Sequence, residues 1–122
     1  MAHPPGFLKL VNDSKARIKE HTIDEIVAKQ KRGDQFVFVD VREDDEWKVG
    51  HAKGAIHIGK GVIERDIEET VPDKNAEIVL YCGGGFRSAL AADALKKMGY
   101  TNVSSMDGGI RGWRAKGLPE ET

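Results

Sequence analysis

The segment EIVLYCGGGFRSALAADALKKMG (77–99) places a strand pattern, a glycine-rich loop and a helix pattern in direct succession. EIVLYC (77–82) is typical of a strand that is buried on both faces of a parallel sheet. Three glycines follow, and RSALAADALKKMG (87–99) has the alanine and leucine spacing of an amphipathic helix that is capped by Gly99. We therefore predict a strand–loop–helix unit with the only cysteine of the chain, Cys82, at the end of the strand.

The same alternation continues along the chain. Three further segments are predicted strands: QFVFVDVR (35–42), GAIHI (54–58) and NVSSM (102–106). Four further segments are predicted helices: TIDEIVAKQKRG (22–33), with a capping box of Thr22 and Glu25 and a terminal Gly33, EDDEWKVG (43–50), residues 62–69, and GGIRGWRAKG (108–117). Strands that alternate with helices indicate an α/β domain with a mostly parallel sheet.

The N-terminal segment has a different pattern. Residues 1–6 contain two prolines and a glycine and are expected to form a loose tail, while the apolar residues of 7–11 allow a short helix. SKARIKEHT (14–22) is expected to hold a short edge strand. We predict an N-terminal extension over residues 1–15 and a single domain over residues 16–122.

Composition restricts the classes of protein to which the chain could belong. Of its 122 residues 39% are hydrophobic and 32% charged, with a formal net charge of −1, which is the balance of a globular domain. No basic tract indicates nucleic-acid binding, and no apolar run is long enough for a membrane span. The N-terminus lacks the charged and apolar regions of a signal peptide, so we expect a cytoplasmic protein. A single cysteine cannot form a disulfide within the chain.

The position of Cys82 indicates a reactive sulfur. Ligands of open α/β sheets bind at the carboxyl ends of strands, and a glycine-rich loop there can direct several N–H groups towards one anion. The start of the next helix adds the positive end of its dipole, and Arg87 adds a full charge at the rim. These features favour the nucleophilic thiolate. A lone cysteine is more often an inert core residue, but the strand–loop–helix setting argues against that role.

Four segments, in this order, resemble the single-domain members of the rhodanese family of sulfurtransferases: FVFVDVREDDEW (36–47), GHAKGAIHI (50–58), IVLYCGGGFRSALAADALKKMGY (78–100) and MDGGIRGW (106–113). The resemblance implies a central parallel five-stranded sheet with helices on both faces, whose first strand lies near residues 17–21. It also implies that Cys82 carries a persulfide and that the following residues form the substrate loop: Gly83, Gly84, Gly85, Phe86, Arg87 and Ser88.

The resemblance further implies the reaction and its participants. Members of the family take a sulfane sulfur from a small anionic donor, such as thiosulfate or polysulfide. They pass it to a thiophilic acceptor, such as cyanide, a thiol or a protein. The resemblance implies no metal and no organic cofactor, and it leaves both a monomer and a homodimer open.

Loop length separates this family from its relatives. Phosphatases and arsenate reductases of the same fold have a loop longer by one residue, whereas Cys82 to Arg87 is C-x4-R. CGGGFRS (82–88) matches neither the basic loops of thiosulfate-specialised members nor the C-G-S-G-[VT]-[ST] loop of mercaptopyruvate-specialised members, so the donor stays open. Two alternative functions are kept: a non-catalytic or redox-sensing protein-binding module, and a phosphatase or arsenate reductase.

Asp40 and Arg42 are predicted to support the site. They end a strand at the same sheet edge as Cys82. We favour a structural role for both, in which Arg42 pairs with Glu46 or with another acid. Ser88 is expected to cap the helix or to hydrogen-bond the donor.

The remaining aromatic and histidine residues are given structural roles. Trp47 and Trp113 are expected to pack at the edges of the core, and Asp107 to cap the last helix. His51 and His57 are expected to bond to the backbone or to lie buried. The four histidines do not have the spacing of metal ligands, so no metal site is predicted.

Overall fold

The computed structural model of the protein describes residues 3–122 and confirms the predicted alternation. Its helices are α1 (Pro5–Lys15), α2 (Ile23–Arg32), α3 (Asp44–Val49), α4 (Ile63–Thr70), α5 (Phe86–Lys97) and α6 (Gly109–Ala115). Its strands are β1 (Lys19–His21), β2 (Val37–Asp40), β3 (His51–Ala52), β4 (Ile56–His57), β5 (Ile78–Tyr81), β6 (Val103–Met106) and β7 (Glu120–Glu121).

Five parallel strands form the central sheet in the order β1-β6-β5-β2-β4. The central strand β5 pairs with β2 on one side and β6 on the other, so that Leu80 lies opposite both Val39 and Ser105. The predicted edge strand is β1. From β2 the chain continues to β4 on one side of the sheet, whereas from β5 it continues to β6 on the other side. The strand order therefore reverses between β2 and β5, and open α/β sheets bind ligands in the crevice at the carboxyl ends of two such strands.

Two hydrophobic cores cover the two faces of this sheet. Along β5, Ile78 and Leu80 pack on the face covered by α4 and α5, while Val79 and Tyr81 pack on the face covered by α2 and α6. All four side chains have 0% relative exposure. An apolar residue at every position is therefore required by the two-sided burial of the strand. The predicted sheet with helices on both faces is confirmed.

The predicted helix ends are close to the observed ones. In α2, the Thr22 side chain accepts from the Glu25 N–H at 3.1 Å and the Glu25 carboxylate accepts from the Thr22 N–H at 2.8 Å, which is the predicted capping box. Gly33 ends α2 with a φ of 77°. Helix α5 ends at Lys97 with Met98 as its C-cap, and the predicted cap Gly99 is the next residue.

Two expectations about local structure were wrong, and one element was not predicted. Pro5 and Gly6 belong to α1 and not to a tail, because proline fits the first turn of a helix, where its missing N–H has no partner to lose. Residues 1 and 2 of that tail lie outside the described residues. Gly108 and not Asp107 precedes α6, and the Asp107 carboxylate lies 3.8 Å from Lys15 Nζ instead. The antiparallel pair of β3 and β7 was not predicted, since strands of two residues show no periodicity.

Helix α1 is attached to α5 through a buried carboxylate. Asp93 is 4% exposed and accepts hydrogen bonds from Ser14 Oγ at 3.1 Å and from Arg17 Nη2 at 2.6 Å. The hydrogen bond from Arg17 is the main reason why the pKa of Asp93 is lowered to about 2, although burial opposes it. The contact joins residues that are nearly eighty positions apart, so it holds the N-terminal segment against the domain.

We expect Asp93→Asn to lower the free energy of unfolding at pH 7 by about 1–3 kcal/mol, because it removes a charged acceptor from a buried pair. The folded-state pKa of about 2 lies below the unfolded value, so the stabilisation is present above the unfolded pKa and is lost as the pH falls through the folded one. Urea denaturation from pH 7 towards pH 2 should therefore show the two proteins converging.

The matched control is Asp13→Asn, which removes the exposed α1 partner of Lys9. Its effect should stay below about 0.5 kcal/mol. Equal losses in the two variants, or a difference that does not depend on pH, would contradict this role of Asp93.

Candidate functional site

The sulfur of Cys82 lies at the carboxyl end of β5 and is surrounded by donors. Cys82 is 1% exposed. Its Sγ accepts from the Gly85 N–H at 3.1 Å and from the Ser88 N–H at 3.4 Å, and Ser88 Oγ lies 3.4 Å away. Ser88 Oγ is itself 2.8 Å from Ser105 Oγ on β6. The sequence analysis did not single out Ser105, whose role depends on the pairing of β5 with β6.

Two opposing effects act on the ionisation of Cys82. Burial is the larger single effect and raises the pKa of the thiol. Hydrogen bonds from the Ser88 hydroxyl and from the N–H groups of Ser88, Gly85 and Gly84 act in the other direction and together outweigh it. The net result is a pKa below the ordinary value, as expected for a thiolate that is held by N–H donors at a helix start.

The first turn of α6 and the residue before it hold the loop in place. The N–H groups of Ile110, Arg111 and Gly108 donate to the carbonyl oxygens of Cys82, Gly83 and Gly84 at 2.9, 3.1 and 3.3 Å. Three successive loop carbonyls are therefore satisfied on one side, and the loop N–H groups are free to face the sulfur.

Two glycines make this close approach possible. Gly109 has a φ of +54°, and a Cβ on it would collide with the Cys82 carbonyl oxygen. Gly85 has a φ of +111° at the start of α5, where it turns the chain so that its own N–H meets the sulfur. The MDGGIRGW segment therefore passes directly against the loop.

The predicted rim cation, Arg87, is bound to a carboxylate. Its Nη1 donates to Glu46 Oε1 at 2.7 Å and its Nη2 to Glu46 Oε2 at 3.2 Å. The hydrogen bond from Arg87 lowers the pKa of Glu46 to about 2, with burial acting against it. The sequence analysis expected Arg42 to pair with Glu46 or with another acid, and its partner is another acid, Asp40.

Asp40 and Arg42 form a buried pair beside the site. Arg42 Nη2 donates to Asp40 Oδ2 at 2.8 Å and to the Gly50 carbonyl at 2.7 Å. Their side chains are 0% and 4% exposed, and neither lines the pocket that contains Cys82. The geometry supports the structural role favoured for both: they connect the end of β2 to the residue that follows α3.

The sulfur opens onto a cavity of about 370 Å³ that has an aromatic side and a cationic side. On the aromatic side, the ring of Phe86 lies 6.1 Å from that of Phe7 and 4.8 Å from that of His3. On the cationic side lie Arg87 and Arg111. A larger hollow of about 430 Å³ borders Tyr100 and contains no thiol.

Three residues of this cavity were not predicted. His3 and Phe7 belong to the segment that the sequence analysis left without a role, and only the packing of α1 brings them to the loop. Arg111 lies within MDGGIRGW, two residues after Gly109. This position in the motif was the one feature of the sequence that could have placed Arg111 near the loop.

The tryptophans lie away from the cavity. Trp47 stacks on His51 with ring centroids 3.3 Å apart, and Trp113 is 1% exposed within the core. His51 Nδ1 and His57 Nε2 lie 3.2 and 2.8 Å from backbone carbonyls, as expected. Within residues 3–122 there is no group of three potential metal ligands, and no helix is long and apolar enough to cross a membrane.

Comparison with known proteins identifies relatives of several kinds, which include a sulfur carrier protein and a sulfurtransferase. YrkF of Bacillus subtilis (strain 168), assigned as a sulfur carrier protein, is 30% identical over 105 residues, which are 86% of this chain and 56% of YrkF. The chain thus spans little more than half of that relative. Thiosulfate sulfurtransferase PspE of Escherichia coli (strain K12) is 37% identical over 71 residues, 58% of this chain and 68% of PspE.

A solved structure matches almost the whole chain. RPA3614 from Rhodopseudomonas palustris CGA009, described as a protein of unknown function and possible tyrosine phosphatase, superposes with a TM-score of 0.88. It is 28% identical, and the match covers 99% of this chain and 98% of that one. The family model of the rhodanese-like domain matches residues 22–116. The chain therefore belongs to the rhodanese-like domain family.

Proposed function

We propose that the protein is a sulfurtransferase that carries a sulfane sulfur on Cys82 as a persulfide. The observation that supports this most directly is the buried sulfur of Cys82, which accepts hydrogen bonds from the N–H groups of Gly85 and Ser88 at 3.1 and 3.4 Å. Donors in this arrangement stabilise a thiolate before the transfer and a terminal persulfide anion after it.

The transfer takes two steps, and each conserves charge. The Cys82 thiolate attacks the outer sulfur of thiosulfate, a new S–S bond forms, the S–S bond of the donor breaks, and sulfite leaves with the electron pair. With polysulfide the leaving group is the chain shortened by one sulfur. A thiophilic acceptor, such as cyanide, a thiol or a protein, then attacks the terminal sulfur and restores the thiolate. This is covalent catalysis with ping-pong kinetics.

The substrate loop is proposed as the cradle for the persulfide. The terminal sulfur would accept hydrogen bonds from the N–H groups of Gly83, Gly84, Gly85, Phe86 and Arg87. The loop carbonyls are bound to the start of α6, so the loop N–H groups face the sulfur, and the N–H groups in the first turn of α5 have no partner within the helix. Ser88 would hold the inner sulfur through its N–H and hydroxyl groups.

Sulfur transfer fits the cavity better than phosphate ester hydrolysis, the activity that the description of RPA3614 raises. The loop from Cys82 to Arg87 is C-x4-R, one residue shorter than in the related phosphatases. Hydrolysis of an ester also needs an acid for the leaving oxygen. Among the described residues that line the cavity there is no carboxylate, which leaves the exposed side chain of His3, outside the loop, to supply that proton. Sulfite and shortened polysulfide leave without a proton.

We propose the cytoplasm as the compartment and small anionic sulfur compounds as the donors. A reactive thiol that has no partner for a disulfide suits a reducing environment. Both a monomer and a homodimer are compatible with the site, since every group named above comes from one chain.

Brief incubation with thiosulfate, or separately with polysulfide, should add one sulfur atom to the protein in intact-protein mass spectrometry. Cyanide should remove it and yield thiocyanate. Cys82→Ser should gain no sulfur, because no other thiol exists in the chain. A circular dichroism spectrum like that of the wild type would show that the variant is folded.

The alternatives predict other results. A wild-type protein that gains no sulfur from either donor would leave the non-catalytic binding module as the better description. Release of nitrophenol from a chromogenic phosphate ester by the wild type, and not by Cys82→Ser, would favour the phosphatase.

We expect Ser88→Ala to raise the pKa of the Cys82 thiol, because it removes the hydroxyl donor to the sulfur. The pH profile of alkylation by iodoacetamide should move to higher pH, and sulfur loading near neutral pH should be about fivefold slower.

Ser104→Ala is the control for this variant. Ser104 lies on β6 next to Ser105, and its buried hydroxyl has no hydrogen-bond partner within residues 3–122. Its profile should match the wild type. Coincident profiles for all three proteins would show that the Ser88 hydroxyl does not stabilise the thiolate.

A further inference from the structure

Two guanidinium groups border the cavity, but only one has its charge balanced by a carboxylate. Arg87 is bound through two nitrogens to Glu46, which is ionised over the whole physiological range because its pKa is about 2. The pair contributes almost no net charge to the cavity. In contrast, no carboxylate of residues 3–122 lies within salt-bridge distance of Arg111.

Arg111 is an exposed residue, but its guanidinium lies against the loop. Its backbone N–H donates to the Gly83 carbonyl at 3.1 Å, which fixes its place beside the loop. A Cβ on Gly84 would lie 3.0 Å from its Nη1, and a Cβ on Gly83 would lie 3.4 Å from its Nη2. The guanidinium thus lies over two residues that have no side chain, next to Cys82 at the mouth of the cavity.

A third cation near the loop is also balanced. Lys15 Nζ lies 5.1 Å from the centre of the Phe86 ring, but it is 3.4 Å from Glu20 and 3.8 Å from Asp107. Among the basic side chains that the structure places around the loop, Arg111 is therefore the one whose charge is not offset by an acid.

We propose that Arg111, and not Arg87, is the residue that recognises negative charge on the sulfur donor. That the recognised anion is a sulfur donor rests on the proposed sulfur transfer, whereas the recognition of negative charge by Arg111 does not depend on it. A dianion such as thiosulfate must approach a thiolate of the same sign, and one uncompensated positive charge at the mouth lowers that repulsion. Arg87 instead fixes the loop to α3 through Glu46. The substrate class is a small anion with a terminal sulfur.

Alkylation of Cys82 tests this without any sulfur donor. Iodoacetate is an anion and iodoacetamide is its neutral analogue, so the ratio of their rate constants measures the preference of the cavity for negative charge. Arg111→Gln should lower this ratio by about fivefold or more at low ionic strength, and added salt should reduce the difference from the wild type.

Three variants separate this role from a general effect of charge. Arg111→Lys keeps the positive charge and should retain most of the ratio. Arg114→Gln removes the same charge one turn further along α6, where the arginine is bound to Glu120, and should leave the ratio unchanged. The double variant Glu46→Gln/Arg87→Gln removes the balanced pair as a unit, so it too should keep the ratio, whatever happens to the absolute rates.

An unchanged ratio in Arg111→Gln, or a loss of the same size in the double variant, would overturn the inference. For sulfur loading, Arg111→Gln should raise the KM for thiosulfate more than it lowers kcat. A wild-type protein that does not load sulfur but shows the expected alkylation ratios would contradict the proposed function and leave the role of Arg111 standing. The two failures are therefore distinguishable.

Discussion

The three hydrogen bonds from the α6 turn to the carbonyls of Cys82, Gly83 and Gly84 are the contact on which the site depends. A loop that directs its N–H groups inwards must direct its carbonyls outwards, and carbonyls at a buried position need donors. The α6 turn supplies them, and it can do so only because Gly109 has no Cβ to meet the loop. The properties of the sulfur thus depend on a segment that follows it by nearly thirty residues.

The charges around the sulfur are divided between fixed pairs and one unpaired group. Asp40 with Arg42, and Glu46 with Arg87, lie at the ends of neighbouring elements and hold them in place. Because each pair is neutral, neither competes with the loop amides for the sulfur or for an incoming anion. A single unbalanced guanidinium then has a larger effect than it would have among several free charges.

Much of the architecture could be read from the sequence because it is encoded locally. The buried strand 77–82, the capping box of α2 and the glycines after Cys82 each appear within one short segment. What could not be read depends on contacts between distant segments: the partner of Arg87, the hydroxyl of Ser105 behind Ser88, and the pairing of β3 with β7. The signs of the charges could not show whether Arg42 or Arg87 pairs with Glu46, because both are arginines. The pairing depends on the order of the strands in the sheet.

Helix α1 lies outside residues 22–116, where the family resemblance is found, yet it belongs to the same physical unit. A protein trimmed to the family boundaries would lose Ser14 and Arg17, and the buried carboxylate of Asp93 would keep neither of those two partners. It would also lose one side of the cavity over the sulfur. Boundaries drawn from sequence similarity and boundaries drawn from packing therefore differ here, and only the second kind preserves both the fold and the access route to Cys82.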